Sequence, residues 1–415
     1  MAGSGEAGER AWDRVSNGKN TPLVIVSGAL ANKPFNGGNA WSRLSWISGF
    51  KRLGFDVCFV EQIGKGNCVN ANGAAASFEE STNLAYFRAV MEQFGLSSCS
   101  TLVYENGEKV HGIPLTELTA RAERAALFNI SGHLTHPDIK DRAGCRIYYD
   151  DDPGFTQFWH AAGNAGTGFG GHDFYFTIGE NIGAQGCAIP TSGINWRHTR
   201  PPVVLDEWPV LPRVFDRFTT VASWRGAYGP IEYGGRTYGV KAHEFRKFIE
   251  LPRQSRSRFE IALQIHSSDK KDLDALIING WCIAEPNHAA DTPDAFRRYV
   301  QTSGAEFSVA QGVYVDTNSG WFSDRTVRYL ASGRPALVQD TGFSRHYAVG
   351  EGLLAFRTVD EAIDGAERIV NDYERHCGAA RRLAEELFDS DRVIRRLASE
   401  IGLDLWGLTQ QSALQ

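Results

Sequence analysis

Apolar residues recur along the chain in two alternating periods. Short runs rich in β-branched and aromatic residues, PLVIVSG (22–28), FDVCFVE (55–61), STLVYE (100–105), ALFNIS (126–131), CRIYYDDD (145–152) and DFYFTIG (173–179), read as buried strands. Between them lie segments with a helical period. NAWSRLSWISGFKRLG (39–54) spaces Trp41, Leu44, Ile47, Phe50 and Leu53 on one face, and Gly54 suits the helix end. SFEESTNLAYFRAVMEQFG (77–95), PLTELTARAERA (114–125) and PGFTQFWHAAG (153–163) predict further helices, the last with Pro153 in its first turn. Continuous apolar strands alternating with helices predict an α/β chain on parallel sheets covered on both faces.

The alternation breaks at WRHTRPPVVLDEWPVLPR (196–213), whose four prolines and weak periodicity suit an extended interdomain linker. It then restarts. FTTVASW, FEIALQI, WCIAE, AEFSVAQ and GLLAF read as strands, and PIEYGGRTYG (230–239) as a hairpin turned at Gly234-Gly235. KAHEFRKFIELP (241–252) and DKKDLDALIING (269–280) read as helices, as does TPDAFRRYVQTSG (292–304), with Thr292 as N-cap and Pro293 at the first helical position. Three helical segments follow between Val359 and Leu403. One architecture is used twice, in a chain whose 415 residues already suggest two domains.

Composition narrows the function classes. Hydrophobic residues make up 42% and charged residues 22%, as in an ordinary globular protein. The net charge of −6 argues against a nucleic-acid partner gripped by a broad positive field, although it leaves room for a local basic pocket. Seven scattered cysteines with no CxxC pair predict reduced thiols rather than disulfides or a zinc site. Residues 1–20 lack the apolar core of a signal peptide, and no apolar run reaches the roughly 18 residues of a membrane span. The expectation is a cytoplasmic, bacterial-type enzyme or binding protein with loosely ordered residues 1–20.

Four stretches carry candidate chemistry, each with a plainer reading beside it. SGALANKPFNGGNAWSR (27–43) is a Gly-rich turn at the end of the first strand; its amides, around Gly37, Gly38 and Asn39, suit a ligand or anion, or the glycines only relieve backbone strain. NISGHLTHP (129–137) places His133 past a strand, as a base or as a surface histidine. Asp150, Asp151 and Asp152 end the next strand, where carboxylates serve acid–base work or simply a solvated loop. His160 and His172 lack metal-site spacing. Arg225 and Lys241, each placed at the C-terminal edge of a parallel sheet, suit a diphosphate. Finally, NSGWFSDRTVRYLASGRPALVQDTGF (318–343) predicts a helix from near Phe322. Free amides from Ser319 through Gly320, Trp321 and Phe322 to Ser323, with Asp324 and Arg325 in the first turn, form a phosphate site; the alternative is a capped helix with a buried Trp321.

The second half resembles the C-terminal domain of GT-B glycosyltransferases that use nucleotide-sugar donors. The resemblance rests on SWRG, GVKAHEF, YLASGRPALVQDTGF, GEGLLAF and TVDEAIDGAERI, in that order, and on GGNAWSRLSWISGFKRLGFDVCFVE for the N-terminal unit. It implies two Rossmann-like domains with parallel sheets facing across a cleft. The expected bounds are 21–198 for the acceptor domain, 199–213 for the linker, 214–390 for the donor domain and 391–415 for a helix crossing back to the N-terminal domain. It implies a glycosyltransferase of glycan or natural-product biosynthesis, moving sugar from a nucleoside-diphosphate donor to a small-molecule or glycan acceptor. No cofactor or metal is expected, and a homodimer is. Arg225, Lys241 and the 319–325 segment would hold the donor; Gly37, Gly38 and Asn39 the acceptor; His133 and Asp151 would be catalytic. The family's Glu-x7-Glu pair is absent: its positions are Gly320 and Arg328. That departure keeps two alternatives in view, a nucleotide-sugar epimerase and a non-catalytic sugar-nucleotide binder.

Overall fold

The computed structural model describes residues 22–402 except 213 and 227, so the expectations for residues 1–20 and for the end of the C-terminal segment lie outside the described residues. The chain packs as two units. One takes residues up to 151, 166–176 and those from 390 on; the other takes 152–165 and 177–389.

The first unit is built on β1 (Leu23–Ser27), β2 (Asp56–Ile63), β3 (Ser100–Tyr104), β4 (Lys109–Gly112), β5 (Ala125–Ile130), β6 (Cys145–Asp150) and β7 (Phe174–Thr177), in the order β4-β3-β2-β1-β5-β6-β7. The β3-β2, β2-β1, β1-β5 and β5-β6 pairs are parallel. Strand β4 is antiparallel to β3, and its half-exposed KVHG sequence gave no apolar signal to anticipate it. Val24, Ile25, Val26, Leu127 and Phe128 are buried, as central strands covered on both faces require. The helix Gly37–Arg52 covers one face and packs on the helix Ser390–Glu400 through Gly49. A Cβ at Gly49 would lie 2.6 Å from Ile394 Cδ1 and 3.0 Å from Ser390 Cβ. Gly49→Val is therefore expected to destabilise this unit by about 1–3 kcal/mol through overpacking, read as a lowered denaturation midpoint.

The second unit opens with the short β8 (Trp196–His198). Its parallel sheet holds β9 (Phe218–Ser223), β12 (Phe259–Gln264), β13 (Cys282–Ala284), β14 (Ala305–Ser308), β15 (Ala336–Gln339) and β16 (Leu353–Phe356), in the order β13-β12-β9-β14-β15-β16. Between β9 and β12, β10 (Ile231–Tyr233) and β11 (Arg236–Tyr238) form the expected hairpin, with Gly234 and Gly235 at φ 58° and 75°. Aromatic rings lace the core: Phe218 stacks on Phe259 at 5.1 Å and Phe307 on Phe356 at 5.1 Å.

Three expectations need correction. The segment read as an extended interdomain linker, 199–213, falls within the second unit, with Val203, Val204 and Trp208 buried among its described residues. Pro153 precedes its helix, which starts at Phe155 after Gly154 at φ 108°. The helix expected over 241–252 breaks into Lys241–Phe245, a 3-10 turn at Arg246–Phe248 and Leu251–Gln254, because Pro252 has no N–H to continue the ladder.

Candidate functional site

Both sheets share one topology. Leaving out β4 and β8, the two edge strands of the first sheet, each runs in the 3-2-1-4-5-6 order whose switch point lies beside the first strand. In the second unit that point falls between β9 and β14. Beyond β9 the buried Trp224 anchors the turn, its indole N–H donating to Asp272 at 2.8 Å. Arg225 follows and stays 60% exposed. Its Nε and Nη2 each donate to the Asp269 carboxylate at 2.7 Å, and Nη2 also reaches Ser268 Oγ at 3.3 Å. The guanidinium is thus held flat from one side, leaving Nη1 outside this grip. Lys241 opens the helix Lys241–Phe245, and its Nζ donates to Val309 O just past β14 at 2.8 Å. Burial, and after it the Arg325 cation, pushes the Lys241 pKa down to about 7, against the opposing pull of Glu306.

The helix expected near Phe322 spans Asp324–Ala331, capped by Ser323, whose hydroxyl accepts from Arg325 N at 3.2 Å. At its start lies a recess of about 220 Å³, its open side included, lined in part by Ser308, Ala310, Trp321, Ser323, Thr326 and Gln339. Its enclosed space holds no more than about one water, far below a typical ligand pocket of roughly 300–1,000 Å³. The Thr326 hydroxyl, on a side chain 1% exposed, lines it without a hydrogen-bond partner.

Several residues of this stretch do other work than the sequence suggested. The amides of Ser319, Gly320 and Trp321 are not free donors: they bond Tyr314 O, Thr341 O and Ser319 Oγ at 3.1, 2.8 and 3.1 Å. Phe322 is core, in ring contact with Phe343, Tyr347 and Phe388. Trp321 stacks one face on Tyr314 at 4.3 Å. Arg325 is spent inside the unit on Glu306 Oε1 (2.7 Å), Ser308 Oγ (2.6 Å) and Val221 O (3.0 Å). Asp324 pairs with Arg328 at 2.9 Å. Arg328 is buried, with its guanidinium 5.9 Å from the Trp208 ring. Gly320 sits at φ 72°, and a Cβ there would meet Asn181 N at 2.8 Å. This backbone has no room for an acidic residue at that position.

In the first unit the switch point lies between β1 and β5. The amides of the loop after β1 do meet an anion, but it is the chain's own. Glu61, 1% exposed at the end of β2, accepts from Leu30 N, Ala31 N, Asn32 N and Asn32 Nδ2 at 2.7–2.9 Å. Burial raises its pKa, against the opposing pull of these hydrogen bonds. Gly37 and Gly38 are the first helical residues after the cap Asn36, and Asn39 ties the loop down through Nδ2 to Ala29 O at 2.7 Å. Asp151, after β6, accepts from Ser131 Oγ and pairs with the buried Arg43 at 3.0 Å. Burial would raise its pKa; Arg43 and Ser131 outweigh it and hold the carboxyl below its usual range. His133 keeps solvent access to its ring, while the surrounding protein and then Arg43 push its pKa down to about 4, so the imidazole is neutral at pH 7. Neither is tuned toward neutral pH as a general base should be. His172 is structural, bonding Asn129 Nδ2 and Phe169 O at 3.1 Å.

Sequence reasoning missed Asp269, Thr326, Arg43 and Glu61. Only Glu61 left a trace, a carboxylate closing the apolar run FDVCFVE. Among the described residues, no three His, Cys, Asp or Glu side chains gather as a metal site needs, and no helix is long and apolar enough to cross a membrane.

No known family profile and no curated protein sequence matches the chain. Solved structures match in fold. An alpha-glucosyltransferase in complex with UDP superposes with a TM-score of 0.57 over 92% of this chain and 99% of its own, at 11% identity. An alpha-glucosyltransferase with UDP and a 13-mer DNA containing a central A:G mismatch gives 0.56 over 92% and 98%, also at 11% identity. Anabaena HepE in complex with UDP and glucose gives 0.56 over 92% and 100%, at 10% identity. The chain has the GT-B fold.

Proposed function

We propose that this GT-B chain is a glycosyltransferase that takes sugar from a nucleoside-diphosphate donor held at the switch point of its second unit. The observation that carries the reading is Arg225, fixed by Asp269 in a flat, exposed fork at the end of β9. A fork with a free edge suits a diphosphate. The shallow recess at the Ser323-capped helix start has room for a single oxygen of the ligand. These groups would stabilise the departing diphosphate as charge develops on it. UDP is the first nucleotide to test, because the solved neighbours hold it. The first unit takes the acceptor. The DNA bound by one neighbour bears against reading the net charge as excluding nucleic acid, and leaves that acceptor class open.

The test is calorimetric titration with UDP at several pH values. A diphosphate favours charged Lys241. Affinity is therefore expected to fall as pH rises above about 7, by up to about tenfold per unit, measured from pH 7.5 to 9, clear of the phosphate pKa of about 6. Folding stability runs the other way. Burial penalises the ammonium, so Lys241 makes the fold more stable as pH rises from about 7 to 10.5. Lys241→Met should flatten the binding profile. UDP that does not bind at any pH overturns the reading.

A second reading, a sugar-nucleotide binder without transfer, is favoured by the internal commitment of Arg325 and by the Arg43–Asp151 pair. UDP binding with neither donor hydrolysis nor transfer would select it. An epimerase would release a free epimer without any acceptor.

A further inference from the structure

The loop after β1 carries a feature that its own packing does not repay. Phe35 has φ 59°, a left-handed conformation that is costly for any residue with a Cβ and rare for a bulky one. Its ring is also 53% exposed, tilted against Tyr86 at 5.7 Å. Local physics would select glycine or asparagine here. The loop instead holds an aromatic face open at the switch-point edge of the sheet, beside the start of the helix Gly37–Arg52.

The charges around it are uneven. Lys33, two residues before Phe35, is exposed and forms no ion pair among the described residues. Arg43 is spent on Asp151. The Lys33 ammonium has no such partner among the described residues. The proton acceptors are weak: the Asp151 carboxylate is tied to Arg43 and Ser131, and His133 is a poor base. A hydroxyl that loses its proton readily suits such a site better than an alkyl one.

We propose that the acceptor is a hydroxylated aromatic ring bearing an anionic group, with the ring lying on Phe35 and the anion meeting Lys33. This rests on the glycosyltransferase reading. In transfer the phenolic oxygen attacks the anomeric carbon, the bond to the diphosphate breaks with its electron pair going to the leaving oxygen, and the acceptor proton goes to solvent.

The test measures binding of 4-hydroxybenzoate, its methyl ester and 4-hydroxycyclohexanecarboxylate to the full chain, with and without saturating UDP. The acid is expected to bind best. Phe35→Ala should weaken it roughly five- to tenfold and Phe35→Tyr should restore it. Lys33→Ala should weaken the acid several-fold and leave the ester unchanged. Phe35→Gly should lose the probe while its Tm holds or rises, because the strain is relieved. Equal binding of the cyclohexane acid overturns the proposal, as does a Phe35→Gly variant with lowered Tm and unchanged binding. Binding of UDP with no binding of any probe overturns this inference alone; failure of UDP overturns the reading it rests on.

Discussion

Glu61→Ala lowers the stability of the first unit by about 3–5 kcal/mol, a fall in Tm on the order of 10 °C. The side chain is 1% exposed and fills the turn after β1, so its loss strands three backbone amides, of Leu30, Ala31 and Asn32, and the Asn32 side-chain amide. Buried donors without acceptors cost about 1–3 kcal/mol each, before any relaxation. Glu61→Gln separates charge from hydrogen bonding. Its oxygen can take the Oε1 role, while its NH2 would face the Ala31 amide, donor against donor. One clash of that kind predicts a loss of about 1–3 kcal/mol. The pH dependence has a definite sign. Burial raises the folded pKa above the ordinary value of 4.5, so the stabilisation by Glu61 is complete below 4.5 and declines as pH rises through the folded pKa. Calorimetric scans of the three proteins between pH 4 and 8 check both claims. A loss under about 1 kcal/mol for alanine would mean that water replaces the carboxylate.

Arg225→Ala weakens UDP binding by roughly 30- to 900-fold, the loss of two charge-assisted hydrogen bonds at about 1–2 kcal/mol each. Stability should fall by about 1 kcal/mol, because the guanidinium is 60% exposed but its partner Asp269, 9% exposed, loses its cation. Arg225→Lys keeps the charge without the fork and should fall between the two. Asp269→Asn leaves the guanidinium in place but loosens its grip, so UDP affinity should fall less than in Arg225→Ala. Titration calorimetry on the four proteins reads these differences. Unchanged affinity in Arg225→Ala would remove the arginine from the donor site.

The alternation of apolar strands and helices was legible because burial on both faces of a parallel sheet leaves no polar positions to blur the period. The caps were legible too: Thr292 accepts from Ala295 N at 3.1 Å, as TPDA suggested, and Ser323 caps the helix Asp324–Ala331. Strand β4 was not, because an edge strand pairs through its backbone and KVHG needs no apolar face. Arg225 kept an exposed fork that suits its expected role. Arg325 did not, although it resembles Arg225 in the sequence. Its fate depends on Glu306 and Ser308, which lie on β14, 19 and 17 residues away.

The same limit explains the loop after β1. SGALANKPFNGGNAWSR announced a turn whose amides could hold an anion, and the local rule was right about the amides. The anion came from Glu61, about 30 residues further on, brought there by the parallel register of β1 and β2. The loss of the Glu-x7-Glu pair could be read by counting from ASGRP, but its reason could not. Gly320 is held at φ 72° against Asn181 N, from a segment nearly 140 residues earlier. The sequence alone determined the two α/β repeats, most of their strands and helices and the helix caps, because these depend on periodicity and on side chains within a few residues of one another. Only the tertiary structure decided which charged groups face a ligand and which are consumed internally, because a hydrogen bond is made by whichever partner the fold brings within about 3 Å, whatever its distance along the chain.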